Sequence, residues 1–293
     1  VKADISQLQD NLERAGYIAD RSLATALILG VRLGRPLLLE GDAGVGKTAV
    51  AKALSEVFTC PLIRLQCYEG LDASAAVYEW NYPHQLLALK LHEQSGYSPA
   101  QQEAQIFSER FLLPRPLLKA ITQERPPVLL IDEVDRADEA FEAYLLEVLS
   151  DFQISIPELG TVKARSIPYV VLTSNGTREL SDALRRRCLY HYLGYPDIPK
   201  ELAIVKRRLP HIDQRLAAQI VQFMDRLRAM DLRKKPGIAE TLDWAMALLS
   251  LDVQRLGDEP QIILDTLGSL LKTQEDLTRV DGAVLAQLLE PIS

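Results

Sequence analysis

The run Gly41-Asp42-Ala43-Gly44-Val45-Gly46-Lys47-Thr48 has the residue types and the spacing, G-x-x-x-x-G-K-T, that hold a phosphate chain. Glycines let such a loop curl until successive backbone N–H groups point inward, and a helix N-terminus adds partial positive charge at the same place. Lys47 has the reach to contact the β- and γ-phosphates, and the Thr48 hydroxyl is a ligand for Mg²⁺. The run lies between Leu37-Leu38-Leu39, a short apolar strand pattern, and a helical pattern that starts at Ala49, so Gly41 to Ala49 reads as a strand–loop–helix site for a nucleoside triphosphate.

A second group of residues could act on that triphosphate. Pro127-Val128-Leu129-Leu130-Ile131 is a continuous apolar run ending in Asp132-Glu133, which reads as a parallel strand buried on both faces with two carboxylates at its end. In open α/β sheets ligands sit at the carboxyl ends of strands. The two acids land beside the phosphate loop if this strand neighbours the first. Asp132 then holds the Mg²⁺ shell, and Glu133 polarises a water for attack on the γ-phosphate. The next apolar run, Tyr169 to Ser174, ends on Asn175. Alone, Asn175 before Gly176 is a turn former; in this setting it can orient the attacking water. Arg185-Arg186-Arg187 closes a short helix before Cys188. Cations settle at helix C-termini, but arginine also matches phosphate bidentately, and a finger here would reach a neighbouring subunit's nucleotide.

The elements that must position these groups follow from periodicity. Helices are expected over 6–15, 20–33 and 49–58, with a second strand at 61–66. Tyr17-Ile18, between the first two helices, either walls one side of an adenine ring or staples the helix to the core. Residues 71–80 read as partly helical, Asn81-Tyr82-Pro83 as a break, 84–92 as an amphipathic helix carrying His84 and His92, and 96–99 as a further break. Helices are expected over 100–111, 116–123, 140–149 and 181–187, a β-hairpin over 152–164 and a last strand over 189–193. Beyond Tyr195-Pro196-Asp197 the pattern is helical alone, near 199–208, 213–230, 239–256, 260–272 and 274–289. Residues 1–196 are thus an α/β nucleotide-binding core and 197–293 a helical domain.

Composition sets limits. With 47% hydrophobic and 25% charged residues and a net charge of −7, the chain reads as globular and is no general nucleic-acid binder. It has neither an apolar run long enough to span a membrane nor a charged-then-apolar signal sequence, so a cytosolic location is expected, with any membrane association made through a partner. Val1 is an unusual first residue, so either a processed N-terminus or the edge of a longer sequence is expected. Cys60, Cys67 and Cys188 form no disulfide framework and read as small buried hydrophobes.

Taken together, Gly41–Thr48, Leu129–Glu133, Asn175 and the Arg185–Cys188 cluster resemble the AAA+ ATPases, in the order that family has them. The resemblance implies a P-loop NTPase fold with a five-stranded parallel sheet followed by an all-α lid. It is closest to the MoxR family. The runs Ile131 to Ala137, Phe141 to Ser150 and Ile154 to Gly160 look like the CoxD-type accessory ATPases, which assist maturation of carbon monoxide dehydrogenase-like molybdenum hydroxylases. What the resemblance implies is an ATP- and Mg²⁺-dependent hydrolase acting as a remodelling chaperone in a ring, with a hexamer expected. An adaptor with a von Willebrand A-type domain and a metalloenzyme client are the implied partners, without nucleic acid or direct membrane insertion. Lys47, Thr48, Asp132 and Glu133 match the family residue for residue, and Asn175 matches its first sensor. Arg187 best fits the finger, with Arg186 second. At the second sensor the chain departs from the family: Glu240 stands near the expected arginine, leaving Arg233, Lys234 or Lys235 as substitutes. The rival readings are a nucleotide-gated scaffold with little turnover and a nucleic-acid motor. The motor would need a basic hairpin, yet 152–164 carries Lys163 against Glu158.

Overall fold

The computed structural model describes residues 2–92, 101 and 105–290. The break expected at 96–99 and most of the start of the helix expected over 100–111 lie outside them. The chain forms two compact units, residues 21–40 with 51–192, and residues 1–20 with 41–50 and 193–293.

The first of these units holds a five-stranded sheet in the order β2-β5-β8-β1-β9, with every pairing parallel. Its strands are β1 (Leu37–Glu40), β2 (Leu62–Gln66), β5 (Val128–Asp132), β8 (Tyr169–Ser174) and β9 (Leu189–Tyr192). All five residues of β5 are buried, and so are the last five of β8, as the unbroken apolar runs require of strands covered on both faces. Helices α1 (Lys2–Arg14), α2 (Arg21–Leu33) and α3 (Lys47–Val57) follow the expected periodicity.

Two small antiparallel ribbons stand apart from the sheet. One is the expected hairpin, β6 (Gln153–Ile156) with β7 (Gly160–Lys163). The other pairs β3 (Tyr78–Trp80) with β4 (Leu112–Pro114), so the stretch 71–80, expected to be partly helical, ends in a strand. Only α4 (Ala73–Ala76) is helical there; Val77, Tyr78 and Trp80 are β-branched or aromatic and favour a strand. The expected break at Asn81-Tyr82-Pro83 is instead the start of α5 (Tyr82–His92). The Asn81 carboxamide accepts from His84 N at 3.2 Å, and Pro83 sits in the first turn. The leucines of α5 do not face a core among the described residues, since Leu86, Leu87 and Leu91 are 61%, 55% and 71% exposed. Gln85 is the buried residue, its Nε2 donating to Ile106 O at 2.7 Å. Helix α6 (Pro116–Ile121) covers the sheet. Helix α7 (Glu139–Asp151) is capped by Asp138, which accepts from Phe141 N at 2.8 Å, and α8 (Asp182–Arg187) by Ser181.

The second unit is helical, with α9 (Ile198–Arg208), α10 (Gln214–Ala229), α11 (Ile238–Ser250), α12 (Pro260–Thr266), α13 (Gln274–Arg279) and α14 (Gly282–Leu288). Its core gathers Phe223, Trp244, Leu248 and Ile263, with the Phe223 and Trp244 rings 4.9 Å apart. Three expected helices are shorter than periodicity suggested. The one expected over 239–256 stops at Ser250, because Asp252 turns into the left-handed region at φ +56°. The helix expected over 260–272 gives way at Leu267 to a 3₁₀ turn. The stretch 274–289 is two helices, because the Asp281 carboxylate caps a new one by accepting from Ala283 N and Val284 N at 3.0 and 2.9 Å. The N-terminal helix is held in this unit by Arg207, which donates to Arg14 O at 3.2 Å, and by the Lys200–Asp20 pair at 3.3 Å.

Among the described residues no helix is long and apolar enough to cross a membrane, and no group of three or more His, Cys, Asp or Glu side chains could hold a metal ion. Cys60 is half-buried, Cys67 and Cys188 are buried, and all three are free thiols.

Candidate functional site

The phosphate loop leaves the carboxyl end of β1 and enters α3 at Lys47. Gly44 and Gly46 have φ of +81° and +98°, a region other residues rarely adopt, and this curls the loop. Lys47 is only 7% exposed, and its Nζ donates to Gly41 O and Asp42 O, both at 2.7 Å. The ammonium is therefore fixed over the loop, and Thr48 stands in the first helical turn, where the dipole is positive. Glycine geometry, a buried cation and a hydroxyl beside a helix N-terminus fit a triphosphate with a hard divalent cation.

A cavity of about 200 Å³ opens beside the loop, lined by Tyr17, Ile18, Gly46, Ala49, Ile204 and Leu242 among others. It is mostly apolar, as a flat purine ring requires. Tyr17 lies against the loop: a Cβ on Gly46 would come within 3.8 Å of its ring. Burial, and then the Asp20 carboxylate, push the Tyr17 phenol well above its ordinary pKa, so it stays neutral.

The start of α11 also rests on the loop. Ile238 N donates to Gly44 O at 3.0 Å, and the two glycine backbones pack so closely that a Cβ on Gly237 would lie 2.7 Å from the Gly44 carbonyl carbon. Glu240, in the place where the family resemblance called for arginine, caps this helix, its Oε2 accepting from Gly237 N at 2.9 Å. The candidate substitutes are engaged elsewhere through their backbones. Arg233 N and Lys234 N donate to the Asp276 carboxylate at 2.8 and 3.2 Å, and Lys235 O accepts from the Tyr195 hydroxyl at 3.5 Å. The turn before α11 is fixed by Arg228, whose Nε donates to Pro236 O at 2.8 Å while its other nitrogens bridge Glu201 at 2.5 and 2.8 Å. Arg228 and Glu201 are 8% and 1% exposed, a buried pair further satisfied by Thr241. A methyl group at Gly237 forces α11 off the loop. Gly237→Ala is expected to lower turnover ~100-fold, the scale of an ångström-sized misplacement, with the helical content unchanged by circular dichroism.

In the sheet-bearing unit the acids emerge at the end of β5, but β5 is not the neighbour of β1: β8 lies between them. Both runs are apolar enough for a central position, so their order could not be read from composition. Asp132 is 2% exposed. Its Oδ1 accepts from Thr173 Oγ1 at 2.6 Å and its Oδ2 from Arg64 Nη2 at 2.6 Å. An all-oxygen donor of this kind suits Mg²⁺. Glu133 adopts φ +54° and ψ +50°, a left-handed conformation that costs a non-glycine residue about 1–3 kcal/mol and is found where surroundings enforce it. Here Thr173 Oγ1 enforces it by accepting from Glu133 N at 2.9 Å. The Glu133 side chain is 34% exposed, open enough to meet water, and accepts from Gln66 Nε2 at 3.2 Å and Arg136 Nη1 at 3.3 Å.

Asn175 follows β8, and its backbone N–H donates to Asp135 Oδ2 at 3.2 Å. Asp135 also accepts from Thr177 N and Thr177 Oγ1, at 3.0 and 2.6 Å. Burial alone would raise the Asp135 pKa, but the Thr177 and Asn175 hydrogen bonds outweigh it and hold the carboxyl below its ordinary range. Thr173, Gln66, Arg64 and Asp135 were not singled out in the sequence; only Thr173, two residues before Asn175 on an apolar strand, carried a local signal. Thr173→Val keeps the shape and removes the hydroxyl that serves both acids. It is expected to cut hydrolysis ~10- to ~100-fold, as loss of a supporting partner does, with the melting temperature checked in parallel.

The three arginines end α8 with different surroundings. Arg185 lies over the Tyr190 ring at 5.8 Å and pairs with Glu179 at 3.9 Å. Arg186 and Arg187 are exposed, and Arg187 Nη1 donates to Ser150 Oγ on α7. Arg35 caps the helix, donating to Arg186 O at 2.7 Å and Arg187 O at 3.2 Å.

Comparison with known proteins places these features. Residues 36–188 match the AAA domain of the dynein-related subfamily. An uncharacterized protein of Staphylococcus aureus (strain bovine RF122 / ET3-1) is 28% identical over 227 residues, 75% of this chain and 77% of that protein. One from Staphylococcus epidermidis is 26% identical over 227 residues, covering 75% and 78%. Among solved structures, a mutant of Thermotoga maritima RuvB superposes with a TM-score of 0.51 at 19% identity, covering 96% of this chain and 82% of that one, a likeness of fold.

Proposed function

Since the chain belongs to the dynein-related AAA domain family, and so is a P-loop ATPase using ATP and Mg²⁺, we propose that it works as a MoxR-type remodelling ATPase of a ring, with CoxD-type accessory proteins as its nearest kind. In this reading residues 1–196 are the nucleotide-binding core and 197–293 the lid. Gly41 to Ala49 cradle the triphosphate, with Lys47 on its terminal phosphates and Tyr17 and Ile18 beside the base. Thr48 and Asp132 hold Mg²⁺, which supplies charge neutralisation on the phosphates. Glu133 takes the proton of the attacking water, Asn175 orients that water, and Arg187 of one subunit meets the γ-phosphate held by the next.

The observation that carries the remodelling reading is the path of the chain away from Glu133. One short turn leads from the acids into α7, and α7 runs straight into the β6–β7 hairpin. A change at Glu133 on hydrolysis is thereby passed to the β6–β7 ribbon, whose second strand is largely exposed and suited to press on a client. A metalloenzyme undergoing cofactor assembly as client, a von Willebrand A-type adaptor and a hexameric ring follow from the MoxR resemblance. The hairpin carries Lys163 against Glu158, which disfavours a nucleic-acid motor.

A scaffold with little turnover is favoured by one observation, Glu240 standing where a lid arginine is expected. Specific activity measured against protein concentration, with and without a von Willebrand A-type partner, separates the two. The ring ATPase gains activity as subunits assemble; the scaffold stays near zero throughout.

A further inference from the structure

We propose that the groove between the β3–β4 ribbon and the β6–β7 hairpin binds a lysine or arginine side chain of a partner polypeptide, held between tyrosine faces and the Glu158 carboxylate. The proposal rests on the remodelling reading above and names the chemistry by which such a protein would grip its client.

The groove encloses about 670 Å³ and is lined by Tyr78, Tyr82, Tyr144 and Glu158, with Arg115 at one side. That is more room than one side chain needs, and leaves space for flanking backbone. Tyr82 is 60% exposed. Trp80 packs edge-on beneath, its ring 6.0 Å from Tyr78 and 5.3 Å from Phe107, which fixes the floor. The charges are unequal. Arg115 is already paired with Glu79, whereas Glu158 joins no ion pair among the described residues. The phenols beside this charge stay protonated, chiefly because they are buried. Burial first, then Glu158, raises the pKa of Tyr78; burial first, then Glu147, pushes that of Tyr144 up to about 12. Aromatic faces in a negative field attract a cation and repel phosphate, so a basic peptide fits where a nucleic acid does not. Tyr144 stands on α7, which begins six residues after Glu133, so an occupant touches the element that leads to the acids.

The test uses the full chain and a fluorescein-labelled glycine–serine decapeptide carrying two central lysines, alongside the same peptide Nε-acetylated. Binding is followed by anisotropy and basal ATP hydrolysis is recorded on the same samples. The lysine peptide is expected to bind and the acetylated one not to. Tyr82→Ala and Glu158→Gln, both at exposed positions, are expected to weaken binding ~2- to ~30-fold each, the range of a cation held by an aromatic face, with hydrolysis unchanged. Equal binding of the acetylated peptide, wild-type affinity in both variants, or no binding to the wild-type chain would each overturn the proposal. Binding that is lost only as subunits assemble would also overturn it, by making a second copy the occupant. A wild-type chain that binds the peptide as expected yet never hydrolyses ATP would sink the ring-ATPase reading and leave the groove assignment standing.

Discussion

Glu133→Gln should leave ATP bound and all but stop its cleavage. The substitution keeps the side chain's size and its hydrogen-bonding partner Gln66 but removes the base that takes the proton from water. General-base catalysis is worth ~10²- to ~10⁴-fold, and a loss of that order in kcat is expected with nucleotide affinity close to wild type. The backbone sharpens the expectation. Glu133 is held at φ +54° by the Thr173 hydroxyl, so the backbone that carries its carboxylate is set by a residue on the neighbouring strand. Single-turnover hydrolysis with equilibrium binding of a fluorescent ATP analogue reads both quantities. A variant that still turns over at near the wild-type rate would remove Glu133 from the chemistry.

Arg187→Ala should be nearly as severe, for a different reason. A trans arginine stabilises charge on the transferring phosphoryl group and is worth ~10³- to ~10⁵-fold in kcat. In the isolated chain Arg187 donates to Ser150 Oγ, and extending it toward a neighbour exchanges that contact for a phosphate. Ser150→Ala is therefore the control, expected to change the rate little. Arg186→Ala is the comparator: Arg186 is exposed beside it, and its own carbonyl is held by Arg35. If Arg186→Ala fails and Arg187→Ala does not, the finger assignment moves by one residue.

What could be read from the sequence was local. The phosphate loop declares itself because the glycines, Lys47 and Thr48 must be contiguous to do their work. The acids were legible because β5 is apolar throughout and ends on them. Long-range partners carried no such mark. Thr173 reaches Asp132 across 41 positions and Gln66 reaches Glu133 across 67, and neither residue type is unusual where it stands. Strand order was equally hidden, since β5 and β8 are alike in burial and only the crossover puts β8 beside β1. No local pattern marks Gly237; its need to be glycine appears only when Gly44 lies against it. The helix ends at Ser250 and before Asp281 escaped periodicity because a capping aspartate or one left-handed residue overrides an apolar pattern. The tyrosines at 17 and 78 illustrate the same limit: each was visible as an aromatic, and neither cavity was visible at all.

The most direct test of the central claim, a site completed by a neighbouring subunit, is to mix the two dead variants. A Glu133→Gln subunit supplies an intact Arg187, and an Arg187→Ala subunit supplies an intact Glu133. Hydrolysis is measured for each alone and for equimolar mixtures, with co-assembly verified by sedimentation. The account predicts that activity returns in the mixture, because some interfaces then pair a working acid with a working arginine. A mixture that co-assembles and stays silent, beside wild-type activity independent of concentration, would contradict it.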